Sequence, residues 1–160
     1  MTQRSKLVSI DRREMLLGVG ATALTVATLT SAGTVAAQDK PPTFDELYAK
    51  ILGDGKAEDG KVSIEMPEIA ENGNTVPYTV KVDSPMTDAD YVKTIHVLSK
   101  GNPSPVIATY HFSPLAGQAT VSSRMRLAKT QDIVAVAELS NGKKLMGTRT
   151  VKVTIGGCGG

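Results

Sequence analysis

From Lys61 onward, apolar and polar residues alternate along the chain. Val62, Ile64 and Met66 interleave with Lys61, Ser63 and Glu65, and Val76, Tyr78, Val80 and Val82 interleave with Thr75, Thr79 and Lys81. Successive side chains of a strand point to opposite faces, so this period of two predicts half-buried strands. Five further runs read as strands: Tyr91 to Ser99, Pro105 to Ser113, Ala119 to Ala128, Ile133 to Ser140 and Lys143 to Ile155, separated by Gly, Pro, Asn and Asp clusters. Asn141-Gly142 is the two-residue signal of a tight hairpin joining the last two. Before the strands the period is helical. Phe44, Leu47, Tyr48, Ile51 and Leu52 share one helix face, Thr43 and Glu46 have the spacing of a capping box, and Gly53-Asp54-Gly55 ends the run. One short N-terminal helix followed by about seven strands predicts an all-β fold, an immunoglobulin-like antiparallel β-sandwich, with a barrel as the alternative.

In the last strand Val151, Val153 and Ile155 fall on one face, and Gly156-Gly157-Cys158-Gly159-Gly160 follows. Glycine samples φ of either sign, so residues 156–160 are expected to form a flexible arm, with Gly156, Gly157, Gly159 and Gly160 around the thiol. The sandwich domain is then assigned to residues 38–155.

The first 37 residues read as a targeting segment. Arg4, Lys6, Arg12 and Arg13 make a basic start, an apolar stretch runs from Met15 to about Leu29, and Val35-Ala36-Ala37 offers a small-residue cleavage site. Arg12-Arg13-Glu14-Met15-Leu16-Leu17 resembles a bacterial twin-arginine export signal, although Asp11 and Leu17 depart from the common pattern. The absence of cysteine at the cleavage site excludes a lipoprotein. Threonines dilute the apolar stretch below what a bilayer span requires, so no membrane attachment is expected after removal, and the periplasm is the expected compartment.

The leader takes four basic and two acidic residues with it, which leaves the 18 Lys plus Arg and 16 Asp plus Glu of the whole chain balanced at 14 each. A mature chain without net charge gives no electrostatic case for nucleic acid. Trp is absent and Phe occurs twice, so the core must be built from Val, Ile, Leu, Met and Ala.

Cys158 is the only cysteine, so it cannot form an intrachain disulfide. The two histidines, His96 and His111, lie inside expected strands without a Cys, Asp or Glu at ligand spacing, and His111 is expected on the outer face. A cupredoxin needs His and Met soon after the cysteine, where this chain has only glycine. No metal cluster, phosphate loop or Ser-His-Asp order stands out, so no catalytic residue, metal or cofactor is assigned. An unassisted thiol has a pKa near 8.5 and the sequence supplies no base beside it. The pattern therefore points to a thiol that partner enzymes activate, that is, to a carrier and not an enzyme. A structural or adhesion module that dimerises through a Cys158 disulfide is the alternative, and a self-contained thiol enzyme ranks below both.

Lys152-Val153-Thr154-Ile155-Gly156-Gly157-Cys158-Gly159-Gly160, the stretch Ala70-Glu71-Asn72-Gly73-Asn74-Thr75-Val76-Pro77, and the leader together resemble the SoxY family, the sulfur-carrier subunits of the thiosulfate-oxidising Sox system. The resemblance implies a periplasmic heterodimer with SoxZ and sulfur intermediates held covalently on Cys158 during the oxidation of thiosulfate to sulfate. It also implies transient visits from SoxAX, which couples thiosulfate to the thiol, SoxB, which releases sulfate by hydrolysis, and SoxCD, which oxidises the remaining sulfane sulfur.

Overall fold

The computed structural model describes residues 41–157. Residues 1–40, which include the segment expected to be an export leader (1–37), and the residues Cys158, Gly159 and Gly160 lie outside the described part. Helix α1 spans Phe44–Leu52. Nine strands follow: β1 (Ala57–Asp59), β2 (Val62–Glu65), β3 (Ile69–Asn72), β4 (Val76–Val82), β5 (Val92–Ser99), β6 (Val106–His111), β7 (Ala119–Met125), β8 (Gln131–Leu139) and β9 (Lys144–Ile155), with a 3-10 turn at Pro114–Ala116.

The strands form two sheets. One has the order β1-β9-β8-β5-β6, with β3 also on β9, and the other has the order β2-β4-β7. Alternation delivers Val76, Tyr78, Val80 and Val82 of β4 and Ile95, Val97, Ile133, Ala135 and Ala137 of the larger sheet into a shared core. The sandwich expected from the sequence is therefore present, with two additions. β1 and β3 both pair with β9 in parallel, so the larger sheet is not purely antiparallel. Between them the chain crosses to the other sheet as β2, and Gly147 of β9 makes room: a Cβ there would stand 2.3 Å from the Val62 carbonyl oxygen.

The second face of the larger sheet is covered by α1. Leu98, Val134 and Val136 are almost fully buried although they lie outside the inter-sheet core. The Tyr48 hydroxyl donates to Met146 Sδ at 3.0 Å, Lys144 Nζ donates to the Leu52 carbonyl at 2.7 Å, and Lys100 Nζ lies 5.6 Å from the centroid of the Phe44 ring. The helix starts as its sequence dictates. Glu46 N donates to Thr43 Oγ1 at 3.4 Å, and Thr43 N donates to Glu46 Oε2 at 2.7 Å. Thr43→Ala removes one of these bonds and should cost about 1 kcal/mol. Hydrogen exchange should show the loss first in α1, with the strands still protected.

Candidate functional site

β9 leads toward the cysteine, and the question is how far the fold grips it. Val151 is fully buried, but Ile155 is 65 % exposed. Ile155, on the same alternating face as Val151 and Val153, does not anchor the strand through its side chain, which stands exposed at the end of β9. Hydrogen bonds to its main-chain groups hold the segment instead. Lys152 N donates to Glu68 O at 2.8 Å, Val153 N to Thr130 Oγ1 at 3.0 Å, and Gly73 N to Ile155 O at 2.7 Å.

The grip continues past Ile155. Gly157 is buried, and its N–H donates to Leu127 O at 2.9 Å, while Leu127 N donates to Gly73 O at 2.8 Å. Three backbone segments, 72–74, 127–128 and 155–157, thus meet in a clasp. Their approach is too close for side chains. A Cβ on Gly73 would lie 2.1 Å from Leu127 O, on Gly156 2.1 Å from Ala128 O, and on Gly157 2.7 Å from Gly73 O. The expectation of a flexible arm beginning at residue 156 is corrected accordingly: Gly156 and Gly157 are glycines because backbone passes against backbone, not because the chain swings there.

Side chains brace the clasp from behind. Asn102 is buried; its Nδ2 donates to Arg126 O at 2.8 Å, and its Oδ1 accepts from Ala128 N at 3.0 Å and Gln131 Nε2 at 2.8 Å. Gln131 Oε1 in turn accepts from Gly101 N at 2.6 Å, and Asn72 Oδ1 accepts from Asn74 N at 2.9 Å to set the 72–74 turn. Asn102→Ala leaves the half-buried Ala128 N–H and the buried Gln131 amide without this partner. Each such loss costs about 1 to 3 kcal/mol, so we expect destabilisation of about 2 to 6 kcal/mol in urea titration. The Gly157 amide should lose exchange protection with it.

Among the described residues no group of three His, Cys, Asp or Glu side chains is placed to hold a metal. His96 and His111 sit on the outer face of β5 and β6, where His96 Nδ1 pairs with Thr109 Oγ1 and His111 Nδ1 with Thr94 Oγ1, each at 3.2 Å. Partial burial lowers the His96 pKa, and the neighbouring His111 adds to the shift against an opposing pull from Glu138. Neither ring belongs to the clasp. The sequence reading singled out residues 70–77 and 152–160 separately; the structure joins their described parts. It also adds Leu127, Ala128, Asn102 and Gln131, which carried no motif.

Fold and site together define an immunoglobulin-like sandwich that grips its last described strand by backbone contacts and leads it directly into a glycine-flanked cysteine. The chain belongs to the SoxY family: the family described as Sulfur oxidation protein SoxY matches residues 48–158. Among solved structures, the sulfur carrier protein SoxY from Chlorobium limicola f thiosulfatophilum is 36% identical, with 69% of this chain and 96% of that chain covered and a TM-score of 0.59. A superoxide reductase (neelaredoxin) from Ignicoccus hospitalis is 19% identical over 59% of this chain and 80% of its own, with a TM-score of 0.52. A hypothetical protein from Pyrococcus horikoshii is 13% identical over 60% and 96%, with a TM-score of 0.51. The last two share the fold alone. A search of the curated proteins gives no match. Among the described residues no helix is long and apolar enough to cross a membrane.

Proposed function

We propose that this chain is a non-catalytic carrier that holds sulfur intermediates covalently on Cys158 during the periplasmic oxidation of thiosulfate to sulfate. Membership of the SoxY family, and the name of the Chlorobium protein as a sulfur carrier, support this reading. The single observation that carries it for this chain is the clasp. The Gly157 N–H is bonded to Leu127 O, so the fold anchors the backbone up to the residue before the thiol. A carrier needs this division between a fixed base and a presented sulfur.

Loading joins the Cys158 thiolate to the outer sulfur of thiosulfate through a new S–S bond and releases two electrons to an oxidising partner. Water then attacks the terminal sulfone; sulfate and two protons leave, and a persulfide anion stays on Cys158. The resemblance assigns these steps to SoxAX and SoxB, oxidation of the remaining sulfane to SoxCD, and the stable partner to SoxZ. The chain's own residues supply attachment and position, without a cofactor. Incubation with thiosulfate labelled in its outer sulfur and the oxidising partner should place label on the wild type, release it on reduction, and leave Cys158→Ser unlabelled. A wild type that takes no label overturns the assignment.

A further inference from the structure

Helix α1 is held lightly. Its apolar stripe, Phe44, Leu47, Tyr48, Ile51 and Leu52, is only half-buried, and none of its nine residues is fully buried. An isolated helix of this length is marginal in water, so α1 is helical because it is docked and leaves the sheet as a unit. Its later residues are anchored on β9, through the Tyr48 hydroxyl on Met146 Sδ and the Leu52 carbonyl on Lys144 Nζ. Its first turn is anchored differently, by Lys100.

Lys100 Nζ stands 5.6 Å from the centroid of the Phe44 ring and 3.4 Å from Asp132 Oδ2, while Asp132 Oδ1 accepts from the Thr150 hydroxyl at 2.7 Å. One ammonium is thus shared between helix and sheet. The residues that follow it belong to the brace behind the clasp. Lys100 N donates to Asp132 O at 3.0 Å, Gly101 N donates to Gln131 Oε1 at 2.6 Å, and the Asn102 carboxamide joins Arg126 O, Ala128 N and Gln131 Nε2. Three consecutive residues therefore meet the helix, the end of the β5–β8 ladder and the clasp. The turn has no slack: a Cβ on Gly101 would stand 2.9 Å from Gln131 Cβ. A shift of Lys100 is passed on to Asn102. The apolar layer points the same way. Leu98 and Val134, cross-strand neighbours on the face that α1 covers, are 1 % and 2 % exposed. They lie two residues before Lys100 and three after Gln131, so departure of the helix uncovers the strand ends from which the brace springs.

We propose that α1 is a latch: its docking and the closing of the clasp are coupled through Lys100, Gly101 and Asn102, so that release of the helix loosens the backbone at Leu127 and Gly157. The two-state element is the helix, on or off the sheet, and its state biases the clasp. Such coupling is reciprocal, so an opened clasp also favours release of the helix. Nothing in it depends on what Cys158 carries. An unlabelled Cys158 would overturn the carrier and leave the latch standing.

Amide hydrogen exchange, followed residue by residue by NMR, reads both ends. A Leu47→Asp, Ile51→Asp double variant puts carboxylates on the docked stripe and releases α1. Val82→Ala, in the core at the end of β4 remote from the clasp, is the reference, with urea adjusted until the two proteins have equal global stability. At equal stability the Leu127 and Gly157 amides should exchange about threefold faster in the helix variant, the size expected of one cation–π contact at an exposed site. Phe44→Ala, a milder change that removes the ring beside Lys100, should give the same difference. With Lys100→Met added to both proteins, the difference should vanish. In the other direction, Asn102→Ala should speed exchange at Ile51 and Leu52 about threefold against the same reference. Equal clasp rates in the helix variants and Val82→Ala overturn the latch, since loosening would then follow stability alone. Unchanged helix rates in Asn102→Ala overturn it too, and so does a difference that survives Lys100→Met, because Lys100 would not carry the coupling.

Discussion

Cys158→Ser should reduce sulfate formation from thiosulfate to background in a system reconstituted with the partner enzymes, with the melting temperature unchanged. A serine hydroxyl is far too weak an acid to form the attacking anion at neutral pH, and it cannot make an S–S bond. The fold does not depend on the thiol, because the core is closed by Val, Ile, Leu, Met, Ala and Tyr side chains well before residue 158. Stability without turnover is thus the expected signature. Residual sulfate formation at a substantial fraction of wild type would mean that the cargo rides elsewhere.

The second large effect is expected at a glycine remote in sequence from the cysteine. Gly73→Val places a Cβ 2.1 Å from Leu127 O and 2.7 Å from Gly157 N, closer than non-bonded atoms can stand. Backbone on both sides must move. The bonds from Gly73 N to Ile155 O, Leu127 N to Gly73 O and Gly157 N to Leu127 O are then lost or stretched. At about 1 kcal/mol each this amounts to about 3 kcal/mol, or a fall in melting temperature of about 10 °C for a domain of this size. Turnover should fall as well, since the base of the thiol is released. Differential scanning calorimetry together with reconstituted sulfate formation checks both halves. Wild-type stability in Gly73→Val would show that the clasp is not a structural constraint.

These expectations differ from those of the sequence at an instructive point. The capping box at Thr43 and Glu46, the alternation of β4 and the hairpin at Asn141-Gly142 were legible because each is a local pattern with a local cause. β1 and β3 were not. Ala57-Glu58-Asp59 has no alternation to read, and both strands exist because β9 offers them a free backbone edge. Gly156 and Gly157 were legible as special residues but not in their role, since a glycine that permits motion and one that permits contact look identical in a sequence. Only the positions of Gly73 and Ala128 decide between them. Asn102 lies in a Gly-Asn-Pro-Ser stretch that reads as an ordinary loop, and its role as a brace needs Arg126, Ala128 and Gln131 brought together by the fold.

The division of labour that emerges is spatial. β4, β5 and β8 carry most of the core, the 72–74 and 127–128 segments lock the departing backbone, and Cys158 follows next in the sequence. Substitutions in the clasp should change where the thiol is presented, whereas substitution of the thiol should change only whether cargo is carried.

The most direct test is the intact mass of the protein taken from thiosulfate-oxidising cells under non-reducing conditions, followed by peptide mapping. The account predicts added sulfur and oxygen atoms on the peptide containing Cys158, removed by reductant. Cys158 found only as a free thiol or a disulfide between two copies of this chain would contradict it.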